Sequence, residues 1–588
     1  MNPSTKKTAT ASAALGLALL TAYTPTAHAT PTTPARTAPG STTAATTTPG
    51  STSAPTTATA SAPATATATG TGTGTGRTAA TTAHAAATTT TTSTSTSTST
   101  STSTSATTVV VTTSSGAVRG TSGPKVSTFQ GIPYATATRF SAPTPVPPWQ
   151  GTRDATKPGN VCAQPAGYPI GKPSTAEDCL NLNVTTPTGK HDELPVIVWV
   201  HGGSLMYGMG DLYRADRLAA GGAVVVSMNY RLGATSFLTH PSLPDSGGLA
   251  LDDQRAALRW VRQNIAAFGG DPGKVTIMGQ SGGGFAVCGH LASPASAGLF
   301  QRAIIQSAPC ADASRTKAEA LAESSEVIKK AGCADASDVA SCLRDLPMAK
   351  LLEAYGTQRE PRPYSGTPSL PLPVDQALRT GRFNRVPVLV GVNHDEENGM
   401  ILGLELATGK PMAATDYRPA ITEAYGKNAA AVLRRYPLGN SAGRTLATVK
   451  TDSTWSAPTL DTARALSRWT STRMFEFAEQ RTPWYAGTPK PSFPAAAQHM
   501  AELPYLFDLT LFEKLSLQQS TLANRLIATW TRFARTGDPN GGGEQPWPLL
   551  RDNGSQAGWH VQSLTSGTWK RADYAQDHHY RFWTTLNH

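Results

Sequence analysis

Cysteine is scarce in this 588-residue chain, six in all, and no Cys or His spacing matches a zinc site. No metal and no cofactor is implied. No block of Lys and Arg lies beside aromatic residues; the net charge of +11 is scattered. Nucleic-acid binding needs a clustered basic face, so that class is set aside. Beyond the amino-terminal segment there is no apolar run long enough to span a bilayer as a helix. Over 108–588 internal repeats, heptads and a second linker are also missing, which leaves one large domain as the expected organisation there.

The ends of the chain differ sharply. Residues 1–29 have the layout of a secretory signal: Lys6 and Lys7, an apolar core over 13–22, and Ala27-His28-Ala29 as a cleavage site. No cysteine lies near that site to take a lipid anchor. Residues 30–107 collapse to Thr, Ser, Ala, Pro and Gly, with a Thr-Gly alternation over 69–76 and a Ser-Thr repeat over 93–105. Such a segment has almost nothing large and apolar to bury, so no core can offset the entropy of ordering it. It reads as a disordered stalk, either a spacer associated with a cell wall, a glycosylation target, or a plain linker. The folded domain is expected over 108–588, in a secreted protein acting as a monomer.

In an exported chain six cysteines allow disulfides. Spacing favours two local bridges, Cys162–Cys179 and Cys333–Cys342. Cys288 and Cys310 are left as a third bridge or as two buried thiols.

The domain alternates apolar runs with helical patterns. Leu194-Pro195-Val196-Ile197-Val198-Trp199-Val200, residues 223–228, Val275-Thr276-Ile277-Met278, Ala303-Ile304-Ile305 and residues 386–391 read as buried strands, and residues 252–262 have helical spacing. Fully apolar strands separated by helices imply an α/β fold whose large, mostly parallel sheet is covered on both faces. In such sheets the working residues sit beyond the carboxyl ends of the strands.

One exit stands out. The run Val275 to Met278 feeds directly into Gly279-Gln280-Ser281-Gly282-Gly283, and a small-residue helix pattern follows. Glycines on both sides let the chain turn sharply enough to leave a serine hydroxyl exposed above the sheet as a nucleophile. Gly-x-Ser-x-Gly alone is weak evidence, with roughly 0.2 to 0.5 chance matches in a chain of this size. Indeed Gly439-Asn440-Ser441-Ala442-Gly443 is a second match, but it follows a helical pattern rather than a strand. Ser281 is therefore the expected nucleophile. The exit of 194–200 is His201-Gly202-Gly203-Ser204, whose N–H groups can hold an oxyanion together with that of the residue after the nucleophile. The exit of 386–391 continues as Asn393-His394-Asp395-Glu396-Glu397, where an acid is expected. The histidine should lie further on in the chain. Of twelve histidines, order and context favour His499, in Gln498-His499-Met500-Ala501-Glu502-Leu503-Pro504.

Four further stretches carry a resemblance. They are Phe129-Gln130-Gly131-Ile132-Pro133-Tyr134-Ala135, Glu177-Asp178-Cys179-Leu180-Asn181-Leu182-Asn183-Val184, Ala266-Ala267-Phe268-Gly269-Gly270-Asp271-Pro272 and Phe533-Ala534-Arg535-Thr536-Gly537-Asp538-Pro539-Asn540. Over nearly all of 108–588 the chain resembles the type-B carboxylesterase/lipase family of α/β-hydrolases, which includes para-nitrobenzyl esterases, fungal lipases and cholinesterases. The resemblance implies a serine carboxylic-ester hydrolase working through an acyl-enzyme. It implies Ser281 as nucleophile, His499 as base and Glu396 as acid, with Asp395 and Glu397 as neighbours. The N–H groups of Gly203, Ser204 and Gly282 would hold the oxyanion, and Cys179 would pair with Cys162. The implied partner is a small-molecule ester, neutral and of short to medium chain or bulky; a lipase of longer acyl chains is the alternative. Some relatives keep the fold as a non-catalytic adhesion domain, but here all three triad residues are present in context.

Three departures from the family pattern bear on specificity. Gln280 stands where the family usually has glutamate, Ser204 replaces a third glycine, and the Cys162–Cys179 loop contains no tryptophan. A missing aromatic face and a missing negative charge both remove attraction for a choline cation. Choline esters are therefore expected to be poor substrates. Comparing acetylcholine with a neutral butyl ester checks this, and a preference for acetylcholine would contradict it.

Overall fold

The computed structural model describes residues 107–166, 170–357 and 359–586. The expected signal segment and nearly all of the expected stalk lie outside them. Among the described residues thirteen strands join in one sheet. They are β1 (Thr107–Thr113), β2 (Gly116–Ser122), β3 (Val126–Pro133), β4 (Thr152–Asp154), β5 (Asn181–Pro187), β6 (Leu194–Val200) and β7 (Val224–Met228). Then follow β8 (Gly270–Gln280), β9 (Arg302–Gln306), β10 (Val388–Asn393), β11 (Thr472–Phe477), β12 (Val561–Leu564) and β13 (Lys570–Arg571). The order is β1-β2-β3-β5-β7-β6-β8-β9-β10-β11-β12-β13, with β4 paired to β2.

From β7 to β12 every pairing is parallel. These are the strands linked by long helical crossovers, as parallel neighbours require. The flank β1-β2-β3-β5-β7 is antiparallel instead. Its first three strands are joined by two- and three-residue turns, which can only reverse the chain. The apolar runs expected as strands form β6 to β10. By contrast, β11 was hidden by its polar residues, Arg473 and Glu476, both buried yet satisfied. Arg473 donates to the Trp547 carbonyl at 2.8 Å and to Asp538 at 3.0 Å, while Glu476 meets His578.

Helices cover both faces. Gly282–Ala292 packs against β8, β9 and β6, and Leu517–Thr536 packs against β6 and β8. The latter opens on a capping box between Ser516 and Gln519 and ends at Gly537, φ 79°. It buries Leu522, Leu526, Trp530 and Phe533 at helical spacing. The second Gly-x-Ser-x-Gly resolves as a helix start: Ser441 caps Ala442–Lys450, its hydroxyl accepting from Arg444 N at 3.2 Å. All six cysteines pair, as Cys162–Cys179, Cys333–Cys342 and Cys288–Cys310. The question left open for Cys288 and Cys310 is thereby answered by a third bridge. Among the described residues no helix is long and apolar enough to cross a membrane.

One buried ion pair ties the amino-terminal segment to the sheet exits. Arg231, just past β7, donates through Nε and Nη2 to both oxygens of Asp253 at 2.8 and 2.7 Å. Its Nη1 donates to the Ser141 carbonyl at 2.7 Å. Asp253 is fully buried. Removing one partner leaves an uncompensated charge, whereas removing both does not. Asp253→Ala is accordingly expected to cost about 3–5 kcal/mol of unfolding free energy, and Arg231→Met with Asp253→Leu much less. Urea unfolding of the two variants checks the difference.

Candidate active site

Ser281 stands between β8 and the helix Gly282–Ala292 with φ 54° and ψ −125°. That region is costly for a side-chain-bearing residue, by about 1–3 kcal/mol, and persists only where its surroundings impose it. Here the imposing contacts are backbone ones. Ser281 N donates to the Gln306 carbonyl at 2.9 Å, and Ser281 O accepts from Phe285 N at 2.9 Å. A Cβ on Gly283 would collide with the Val200 carbonyl oxygen, and one on Gly284 would lie 2.6 Å from the Ala308 Cβ. Only glycine lets the helix start pass this close to the ends of β6 and β9.

The loop after β6 faces the same helix start. Gly203, Ser204 and Leu205 all have positive φ, 106°, 56° and 60°. A Cβ on Gly282 would sit 2.9 Å from Ser204 N and 2.8 Å from Leu205 N. Gly282 is the first residue of its helix, so its N–H has no intrahelical partner. The backbone nitrogens of Ser204 and Leu205 thus lie close to Gly282, the residue after Ser281. The loop is braced from the Cys162–Cys179 side, where Gln164 exchanges two hydrogen bonds with Gly208, at 2.9 and 3.0 Å.

The acid loop follows β10. Glu396 is buried and takes Asn393 N on Oε1 at 2.8 Å and His499 Nδ1 on Oε2 at 2.5 Å. His499 N also donates to the Glu396 carbonyl at 3.0 Å, which fixes one loop against the other. With Nδ1–H given to Glu396, His499 Nε2 is left as an acceptor. It accepts from Gln280 Nε2 at 3.1 Å, while Ser281 Oγ makes no hydrogen bond among the described residues. Residue 280 therefore sits on the imidazole nitrogen itself, closer to the chemistry than its place in the motif implies.

The neighbours expected beside Glu396 point away from the imidazole nitrogens. Asp395 lies 3.1 Å from His394. Glu397 accepts from Trp455 Nε1 at 2.8 Å and donates through its N–H to Thr451 Oγ1 at 3.0 Å. Trp455 in turn lies over the His499 ring, centroids 4.8 Å apart. Both Thr451 and Trp455 belong to a π-helical turn, Thr451–Ser456, the wider coil that often marks functional positions. Sequence reasoning missed Trp455 because a single aromatic in a polar stretch has no periodic signal. Glu502 was passed over too. It is buried between Asn393 Nδ2 at 2.7 Å and Gln306 Nε2 at 2.9 Å. Burial pushes its carboxyl up to about 7 against the lowering bond from Asn393, with Glu396 adding to the rise.

Burial pulls the His499 pKa down, but the charge and hydrogen bond of Glu396 outweigh it, helped by Glu502 and Glu397, and the net shift is upward. The imidazolium is thus favoured where a base would need to store a proton. A cavity of about 1070 Å³ lies at the antiparallel flank beside Gln130, Asn183, Asp211 and Ser227, and none of Ser281, Glu396 and His499 lines it. The strand exits, not that hollow, bring these groups together.

A family model described as "Carboxylesterase family" matches residues 107–583. The chain belongs to the carboxylesterase family. It is a hydrolase of carboxylic esters. This carboxylesterase is 32% identical to a para-nitrobenzyl esterase of Bacillus subtilis over 73% of its own length and 90% of the relative's. It is 32% identical to a fumonisin B1 esterase of Sphingopyxis macrogoltabida over 75% and 84%. Among solved structures, a thermophilic para-nitrobenzyl esterase superposes with a TM-score of 0.66 at 30% identity, covering 81% of this chain and 99% of that one.

The contact between residue 280 and the imidazole has a measurable consequence in this carboxylesterase. Gln280→Glu puts a second carboxylate on the ring, at Nε2 opposite Glu396, with Glu502 and Glu397 already acting on it through their charge. The His499 pKa, followed by NMR of the ring protons, is expected to rise above wild type. A fall, or no change, would contradict the contact.

Proposed function

We propose that the protein is a secreted serine carboxylesterase using Ser281, His499 and Glu396, and that it acts on neutral esters of short to medium chain or with bulky groups. The observation that carries this reading is the strained Ser281 turn beside the Ser204 and Leu205 nitrogens, opposite an imidazole tied to a buried carboxylate at 2.5 Å. For attack, the Ser281 hydroxyl replaces Gln280 as the donor to His499 Nε2. Ser281 Oγ then bonds to the ester carbonyl carbon as its proton passes to Nε2. The carbonyl oxygen gains charge and is held by the N–H groups of Gly203, Ser204 and Gly282. Glu396 keeps the imidazole in the useful tautomer and stabilises the imidazolium. His499 returns the proton to the departing alcohol, and a water repeats the sequence to free the acid.

Gln280 supports the neutral preference, because an uncharged amide stands where a carboxylate would attract cations. Relatives named for para-nitrobenzyl, cocaine and fumonisin esters support room for bulky groups. Three disulfides support export, since such bridges persist in oxidising compartments. On this reading residues 30–107 serve as the spacer that retains a monomeric enzyme at the cell wall.

Ser281→Ala is expected to lose p-nitrophenyl ester hydrolysis by on the order of 10⁶-fold in kcat, while Ser441→Ala keeps it. Across p-nitrophenyl esters of rising chain length, kcat/KM should peak at short or medium chains; a peak at long chains with activation at an oil–water interface would overturn the esterase reading. In the wild type kcat/KM needs neutral His499, so activity should fall as pH drops through its raised pKa. In Gln280→Glu that acid limb moves to higher pH.

A further inference from the structure

Behind the acid loop, three residues far apart in the chain meet. The β10–β11 pairing sets Asn393 opposite Phe477 and Val392 opposite Glu476. His394, just past β10, therefore lies next to the end of β11. His578, from the carboxyl-terminal segment, comes in beside them. The rings of His394 and His578 are 5.2 Å apart, and one donor atom from each of His394, Glu476 and His578 lies within 4.8 Å of the others. His578 and Glu476 are buried, and His394, 37% exposed, opens the cluster to solvent.

We propose that His394, Glu476 and His578 form a two-histidine, one-carboxylate site for a divalent transition ion, with Zn²⁺ the best fit. Three features carry the proposal. Two imidazoles and a carboxylate are the ligand types that suit this ion. His578 Nδ1 is held by Asp452 at 2.6 Å, which leaves Nε2 facing Glu476, also at 2.6 Å. A carboxylate on the far nitrogen is the outer support that orients a metal-bound histidine, and Asp452 is itself fixed by the Tyr436 hydroxyl at 2.7 Å. Finally, His394 Nδ1 is buried, and its near contact is the Asp395 carboxylate at 3.1 Å.

The geometry is within reach. Ligand atoms on a tetrahedral ion at about 2.1 Å stand roughly 3.4 Å apart. His578 Nε2 and Glu476 need to part slightly, and the widest pair, within 4.8 Å, needs to close by at most about 1.4 Å. Three carboxylates stand around the cluster: Asp452 and Glu476 flank His578, and Asp395 lies beside His394. On binding, Nε2 exchanges its proton for the metal, the proton leaves to solvent, and the cluster gains one net positive charge. The bound ion would brace the loop two residues before Glu396, independently of any chemistry at Ser281.

The test uses the full chain, untagged and stripped with a chelator, titrated calorimetrically with Zn²⁺ in buffers of different ionisation enthalpy. One ion per chain, release of at least one proton and a raised thermal midpoint are expected. His394→Ala, at the open edge of the cluster, should weaken binding by about 100-fold or more, with the stripped protein folded by circular dichroism. Glu476→Gln should weaken it likewise where that variant folds. Absence of stoichiometric binding, or binding undiminished in His394→Ala, would overturn the site and leave His578 as a buried imidazolium between two carboxylates.

Discussion

Three backbones cross around Ser281 closer than side chains permit, and the rest of the site depends on that crossing. The end of β6, the end of β9 and the first turn of Gly282–Ala292 approach so tightly that Gly283 and Gly284 have no room for a Cβ. The crowding holds Ser281 at φ 54°, a conformation it would otherwise leave. It also sets the loop after β6 beside the helix start, where the Ser204 and Leu205 nitrogens lie close to Gly282. The strain is local, and the large buried sheet beneath it supplies the stiffness that sustains it.

The second half of the site is built on electrostatics rather than on crowding. Glu396, Glu397 and Glu502 are all buried near one imidazole, and each accepts at least one hydrogen bond: from His499 and Asn393 N, from Trp455, and from the amides of Asn393 and Gln306. A buried carboxylate without such bonds would be costly. With them, the group favours the imidazolium that proton transfer produces. Gln280 adds a constraint from the other side, since its amide meets His499 Nε2 at 3.1 Å. In the proposed reaction the Ser281 hydroxyl has to displace that hydrogen bond.

What could be read from the residues follows from how local each signal is. The β6, β8 and β10 exits were legible because each couples an apolar strand to glycines or acids within a few residues. His499 could be singled out only by its order in the chain and the resemblance around it. Nothing local distinguished Trp455, whose role comes from a π-helical turn, or β11, whose charged residues find partners 65 and 102 positions away. The pairing of Cys288 with Cys310 was undecided because neither spacing nor pattern separates a buried bridge from two buried thiols. The cluster of His394, Glu476 and His578 was invisible for the same reason: it exists only once β10, β11 and the carboxyl-terminal segment are adjacent.

The central claim is that Ser281, and not another hydroxyl, bonds to the substrate's acyl group. The most direct measurement is to quench the enzyme in acid during turnover of a p-nitrophenyl ester and map the acyl group by peptide mass spectrometry. The account predicts one acyl group per chain, on the peptide containing Ser281. An acyl group on Ser441 or elsewhere, or turnover with no acyl-enzyme formed, would contradict it.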